Sequence, residues 1–357
     1  MSNIPSILFS ILIFSLLIFV HELGHFVAAK LSGVQVNEFA MFMGPAIAKW
    51  KRGETEYSIR CIPFGGYCAM EGEDGDTDNP RSFQKAKWWK RLIILVAGSF
   101  MNFLAGALIY TALFLPAQQV IAPVIVEFTD CCTFAGENGL QVGDEILEID
   151  GEKIFVNNDI STMLTLNPTP VHDIVIKRGD EVLEFNDFHM GHMCPANNQE
   201  EYLHYGFSFG APVELTKGQM LGYIWNVIRD DVRMVRLSLG MLFSGQAGVK
   251  DLAGPVGIVQ MMTESAAAAE DNTDAVLTLL SFGAFIAINL GVMNLLPIPA
   301  LDGGRVVSLL LTTAIEAVTG KKLNSKVEGY IHGAGMILLL ALMALILFKD
   351  IFVIFKG

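Results

Sequence analysis

Four stretches of this chain are long, apolar and nearly free of charge, and no other feature limits its fold as strongly. They are Ile4 to about Leu31, the run after Arg91 that stays uncharged until Glu127, Ala275 to Leu301, and Gly329 to about Phe348. A bilayer core takes roughly 20 apolar residues in helix, so each run can cross it. The second helix is expected to stop near Pro116. The run 306–315 is apolar but too short to span, and is assigned to the interface. Composition agrees: 17 % of residues are charged and 52 % hydrophobic, against about 25 % charged in soluble proteins. No Lys or Arg precedes Lys30, and no small-x-small cleavage site follows the first run, so it reads as a retained span and not a signal peptide. The net charge of -13 argues against a nucleic-acid partner, which needs a basic face.

The loops set the orientation. Residues 30–91 carry ten Lys or Arg, and 302–328 carry Arg305, Lys321, Lys322 and Lys326. The much longer segment 117–274 carries eight. Basic loops stay in the cytoplasm, which places 30–91 and 302–328 there and 117–274 outside. Within 34–70, alternation around Tyr57, Ile59 and Cys61 followed by Pro63, Phe64, Gly65 and Gly66 predicts strand, turn and strand. Its apolarity suggests that it dips into the membrane, where open backbone is tolerated only against protein or a wet cavity. Segment 117–215 reads as a small β-rich domain: Leu140, Val142, Ile146, Ile149 and Ile154 alternate with turn signals, and 171–185 is a hairpin. Residues 218–242 form an amphipathic helix, packed on that domain or lying at the membrane surface.

The stretch "VHELGH" puts His21, Glu22 and His25 at the end of the first span. Ionisable groups at membrane depth are costly and mark function. Four helical steps bring both imidazoles to one face, with Glu22 beside the first; this is the HExxH arrangement of zinc peptidases, two ligands and a general base. A catalytic zinc takes a third protein ligand. Asp302, Glu316 and His332 are the candidates near membrane depth, and Asp302 fits best. It follows 27 uncharged residues; Pro297 and Pro299 break the helix before it, and Gly303 and Gly304 free the backbone to turn it inward. His332 reads as a packed or polar-contact histidine. The five cysteines form no CxxC pair, so a zinc ribbon is not expected. A disulfide between Cys194 and Cys131 or Cys132 stays open.

"HELGH", "PFGGY", "AGSFMNF", "LAGPVGI" and "NLLPIPALDGG", in this order over nearly the whole chain, resemble the site-2 protease family of intramembrane zinc metalloproteases, in particular its RseP-like bacterial branch. The resemblance implies one zinc ion per chain held by His21, His25 and Asp302, with Glu22 as catalytic base. It implies substrate contacts from Asn294 and makes Asn102, Pro63, Gly65 and Gly66 candidates; the strand 55–61 adds Tyr57 and Ile59. It also implies that "PFGGY" belongs to a membrane-re-entrant β element and that 117–215 is a PDZ domain. Position 99 is Ser where the family often has Pro, and there is room for one PDZ domain where some relatives carry two.

The expectation is a polytopic α-helical membrane protein of the bacterial inner membrane, with four transmembrane helices, a re-entrant β element and an inserted extracytoplasmic PDZ domain. In order, 1–33 is the first span, 34–90 the cytoplasmic β region, 91–116 the second span, 117–215 the PDZ domain and 216–274 the amphipathic helix and linker. Then come the third span at 275–301, a cytoplasmic or interfacial segment at 302–328, and the fourth span with the C-terminus at 329–357. Family substrates are single-pass membrane proteins, among them an anti-sigma factor after a first site-1 cut, or remnant signal peptides. A substrate strand is expected to add to an edge formed by 55–61, and the outer domain to act as a size filter. The rival readings are a metal-handling transporter, which has no need of Glu22 beside His21, and a non-catalytic scaffold, which has no need of the intact HExxH set.

Overall fold

The computed structural model describes the chain apart from residues 1–2, 74, 76, 130–134, 137, 196–200, 249–251, 321–324 and 357; for 3–4, 63–64, 192–195, 201–202, 325–328, 351 and 353–356 it describes the backbone alone. The expectations on Cys131 and Cys132, and on the side chains of Pro63 and Cys194, fall outside the described residues. The chain runs through α1 (Asn3–Ser32), β1 (Val36–Arg52), β2 (Thr55–Met70), α2 (Trp88–Phe114), β3 (Gln119–Phe128), β4 (Glu145–Ile149), β5 (Glu152–Lys153) and α3 (Asn158–Leu166). It continues through β6 (Val171–Arg178), β7 (Glu181–His189), β8 (His192–Pro195), β9 (Glu201–His204), β10 (Phe207–Glu214), α4 (Lys217–Ser244), α5 (Pro255–Ala267), α6 (Asn272–Asn294), α7 (Asp302–Thr319) and α8 (Ser325–Lys356). It divides into two units, Met1–Tyr110 with Asp231–Gly357, and Thr111–Asp230.

Pro5–Ser32, Trp88–Phe114, Asn272–Asn294 and Gly329–Asp350 are long and apolar enough to cross a membrane. Helices in lipid associate by close packing, which favours small residues where they cross. A Cβ on Gly24 of α1 would lie 2.9 Å from Gly98 Cα of α2, and one on Gly106 of α2 would lie 2.8 Å from Ile288 of α6. The late turns of α1 share a core with the β1–β2 sheet and α2 through Ala29, Val36, Phe39 and Ile94. Its earlier turns pack Ile13 and Leu17 against α5 and α6. The third helix stops at Asn294, short of the expected 301. Pro297 has no amide to donate, and 295–301 form a chain of tight turns, with Ile298 N donating to Leu296 O and Leu301 N to Ile298 O.

The β1–β2 sheet corrects one expectation. Residues 55–60 pair with 46–52 on one side, and 56–59 lie opposite 38–41 on the other; Tyr57 faces both Trp50 and Phe39. The strand is therefore interior and cannot take another by edge addition. Among the described residues, 46–52 and 66–70 have a strand partner on one side only. Arg60 ties the layers together by donating to Glu38, to Gly44 O and to Tyr67 Oη.

The second unit is a six-stranded sheet of order β10-β3-β4-β6-β7 with β5 on β4, a β8–β9 pair, and α3. The 171–185 hairpin is present, as β6 and β7. Leu140, Ile146, Ile149 and Ile154 are buried as expected, but Val142 is 62 % exposed. It stands at the turn where Gly143 adopts φ 97°, so alternation does not carry it inward. The expected amphipathic helix is α4.

Candidate metal centre

The helical period sets the first two donors. His21 and His25 are one turn apart on α1, with ring centroids 4.8 Å apart and Nε2 atoms 3.2 Å apart. Asp302, the first residue of α7, places Oδ2 3.2 Å from each Nε2. The turns before it make this approach possible. Ala300 takes a left-handed φ of 79°, and its amide donates to His332 Nδ1 at 3.2 Å. His332 thus supports the turn and is not one of the three converging groups, as expected. Gly303 packs on the carbonyls of Leu295 and Leu296 with no room for a Cβ, and a Cβ on Gly304 would lie 2.8 Å from the Ile298 carbonyl carbon. Three residues into α7, Arg305 forms an ion pair with Glu73 from the turn after β2.

These atoms suit a metal. Asp302 Oδ2 is buried and meets no hydrogen-bond donor, an expensive state for a carboxylate oxygen unless a cation faces it. Zinc bonds of about 2.0–2.1 Å in a tetrahedron imply ligand separations of roughly 3.3–3.4 Å, close to the three 3.2 Å separations. Metal-binding imidazoles use their second nitrogen on an outer partner. His25 Nδ1 lies 2.8 Å from Ile94 O, where it can only donate, which leaves its Nε2 lone pair for the centre. His21 Nδ1 lies 3.4 Å from the side-chain amide of Asn102. Gly98, between those two α2 positions, admits the rings: a Cβ there would lie 2.7 Å from His25 Cε1 and 2.8 Å from His21 Cε1.

The other expected site residues divide by place. Glu22 is partly buried on α1, and its Cγ is 3.3 Å from where a Gly66 Cβ would stand. Gly66 therefore lies beside Glu22, whereas Gly65, with φ 81°, packs on Met43. Asn294 is partly exposed at the end of α6; among the described residues no hydrogen bond ties it to the cluster. Tyr57 lies inside the sheet, stacked on Trp50 at 5.9 Å, and Ile59 is 37 % exposed. Sequence reasoning missed the Ile94 carbonyl, the Gly98 clearance and the Glu73–Arg305 pair. Only the small residues of "AGS" signalled the second.

The profile of Peptidase family M50 matches residues 9–342. A Clostridium perfringens protein assigned as a zinc metalloprotease is 36 % identical over 349 residues, covering 97 % of this chain and 98 % of its own. The regulator of sigma-W protease RasP of Bacillus subtilis is 28 % identical, covering 96 % of this chain and 97 % of its own. The zinc metalloprotease RasP of Bacillus licheniformis is 29 % identical with the same coverage. On the family match and the length of these alignments, the chain belongs to Peptidase family M50, the site-2 protease family, and is a zinc metalloprotease.

Proposed function

We propose that this protein hydrolyses peptide bonds within the membrane-spanning segment of single-pass proteins, with zinc held by His21, His25 and Asp302 and with Glu22 as general base. The observation that carries the reading is the convergence of His21 Nε2, His25 Nε2 and Asp302 Oδ2 at 3.2 Å, with both histidines on a helix apolar enough to cross a membrane. Zinc, when bound, supplies Lewis acidity and a nucleophile at neutral pH. Glu22 takes the proton of the attacking water and passes it to the leaving amine nitrogen. Asn294 steadies the substrate backbone beside it.

A helical substrate hides its amides in its own i to i−4 bonds, so the scissile segment must unwind first. The free edge at 66–70, which begins beside Glu22, takes the unwound segment by strand addition and replaces the lost bonds. The basic loops favour an active site opening to the cytoplasm in a bacterial inner membrane, with 117–215 outside as a single PDZ domain and size filter. The name of the Bacillus subtilis relative links it to sigma-W. By that likeness the substrate is an anti-sigma factor shortened by a first cut; clearance of signal-peptide remnants is the same chemistry.

The test is cleavage of a single-pass substrate, already shortened on its outer side, by purified wild type and Glu22→Gln, with metal assayed on both. Cutting within the span by wild type alone, with equal zinc in both, is expected. Zinc in both and cleavage by neither, across several substrates and membrane mimetics, would favour a scaffold or metal-handling role.

A further inference from the structure

We propose that Asn102 is a positioning residue that fixes the ring of His21 for metal binding, and that it acts through its amide oxygen. The inference rests on the reading of His21, His25 and Asp302 as zinc ligands. Asn102 is 1 % exposed, on the face of α2 turned to α1. As placed, its Nδ2 lies 3.4 Å from His21 Nδ1, while its Oδ1 is buried and meets no donor. A buried acceptor with no donor needs an explanation.

The chemistry of His21 supplies it. Its Nε2 faces His25 Nε2 and Asp302 Oδ2 and must present a lone pair there to bind a cation. A neutral imidazole carries one proton, so that proton sits on Nδ1. An Nδ1–H facing an amide NH2 sets donor against donor. The two ends of a carboxamide have nearly the same shape, and a half-turn exchanges them in place. After it, Oδ1 accepts the Nδ1–H, and the acceptor that lacked a donor has one.

His25 obeys the same rule, with its Nδ1–H donating to Ile94 O at 2.8 Å. One helix therefore orients both imidazoles. The substrate role implied by resemblance fits Asn102 less well: its side chain is buried on the Nδ1 side of His21, whereas the centre lies on the Nε2 side.

Outer partners of this kind change metal affinity about 10–100-fold when removed. The test uses the full chain in detergent and measures the zinc Kd by competition with a chromophoric chelator. Wild type, Asn102→Leu, Asn102→Ala and Asn102→Asp are compared, with kcat and KM on a shortened single-pass substrate. Leu keeps the branched shape but offers no acceptor, and Ala offers none without adding bulk; Asp restores the acceptor. The Kd should rise about 10–100-fold in the Leu and Ala variants and stay within a few-fold of wild type in the Asp variant, with KM unchanged at saturating zinc. A wild-type Kd in Asn102→Leu, with or without a raised KM, would overturn the proposal, as would an Asp variant as weak as Leu. Asp302→Ala, run alongside, separates the two levels. If wild type holds no zinc, or Asp302→Ala holds it as tightly, the ligand reading fails too. If those two behave as expected and Asn102→Leu matches wild type, only the role of Asn102 fails.

Discussion

Gly98→Ala tests whether the crossing of α1 and α2 sets the geometry of the centre. The new Cβ would stand 2.7 Å from His25 Cε1 and 2.8 Å from His21 Cε1, where ordinary contact begins at 3.4 Å. His25 Nε2 stands closer still, so the rings or the helices must give by more than the 0.7 Å that separates 2.7 from 3.4 Å. Metal–ligand distances tolerate only about 0.2 Å, so the strain falls on the ligand set. Ile94 O and Asn102 hold both rings from behind, which leaves little freedom to swing aside. Overpacking of this kind costs about 1–3 kcal/mol, and if it is spent on metal geometry the zinc Kd rises about 10–100-fold, at about 1.4 kcal/mol per tenfold. Chelator competition reads the Kd directly, and proteolysis should fall at least as far. Gly222→Ala on α4, where a Cβ meets nothing within 4 Å, is the control; it should leave zinc unchanged and, by helix propensity alone, stabilise by up to about 1 kcal/mol. That propensity gain is also what the opposite outcome looks like. If Gly98→Ala keeps wild-type zinc affinity and activity and melts higher, the close approach does not govern the centre.

Burial would raise the Asp150 carboxyl, but hydrogen bonds from His172 and Asn167 outweigh it and hold the group below its ordinary 3.8. The associated stability is fully present above that value and is lost as pH falls through the lower folded value. Hydrogen exchange at β4 and β6 should therefore quicken below about pH 4 in wild type and respond less to pH in Asp150→Asn. Arg305→Gln breaks the pair with Glu73, which joins the first turn of α7 to the turn after β2; kcat should fall, with partial recovery in the charge-swapped Arg305→Glu, Glu73→Arg double variant. Amides alternate in direction along a strand, so one of Cys68→Pro and Ala69→Pro removes an outward amide from the 66–70 edge. That variant should slow cleavage while keeping zinc, and wild-type rates in both would count against strand addition. Deleting 120–212 should let substrates with bulky outer domains be cut, and a persisting need for the first cut would remove the size-filter reading.

What was legible in the sequence was local or periodic. His21 and His25 are four positions apart on a helix, so their convergence needs no knowledge of the fold. Asp302 stood out because an acid after a long uncharged run, between prolines and glycines, has few other reasons to be there. The limits came from non-local pairing. Alternation around Tyr57 marks a strand but cannot say which strands flank it, and the real neighbours, 46–52 and 38–41, make interior what looked like an edge. Hydropathy ran the third span to Leu301 because 295–301 is as apolar as the helix before it. Pro297 ends the helix through a missing amide, which a hydropathy sum does not register.

The second span shows how far a ligand set depends on residues that never touch the ion. His21, His25 and Asp302 supply the donor atoms, yet two histidines on one helix turn can adopt many ring orientations and either tautomer. Ile94 O fixes one ring at 2.8 Å. Asn102, two turns further along α2, stands behind the other. Gly98 lies midway, on the same face, and lets α2 approach closely enough for both contacts. Gly24 on α1 completes the crossing from the other side, with a would-be Cβ 2.8 Å from the Ala97 carbonyl carbon. Substituting either glycine should thus act on the metal before it acts on the fold, because the helices can part by a fraction of an ångström and still pack, whereas the donors cannot. A loss of zinc that precedes any loss of helix packing on titration with denaturant is the signature this arrangement requires.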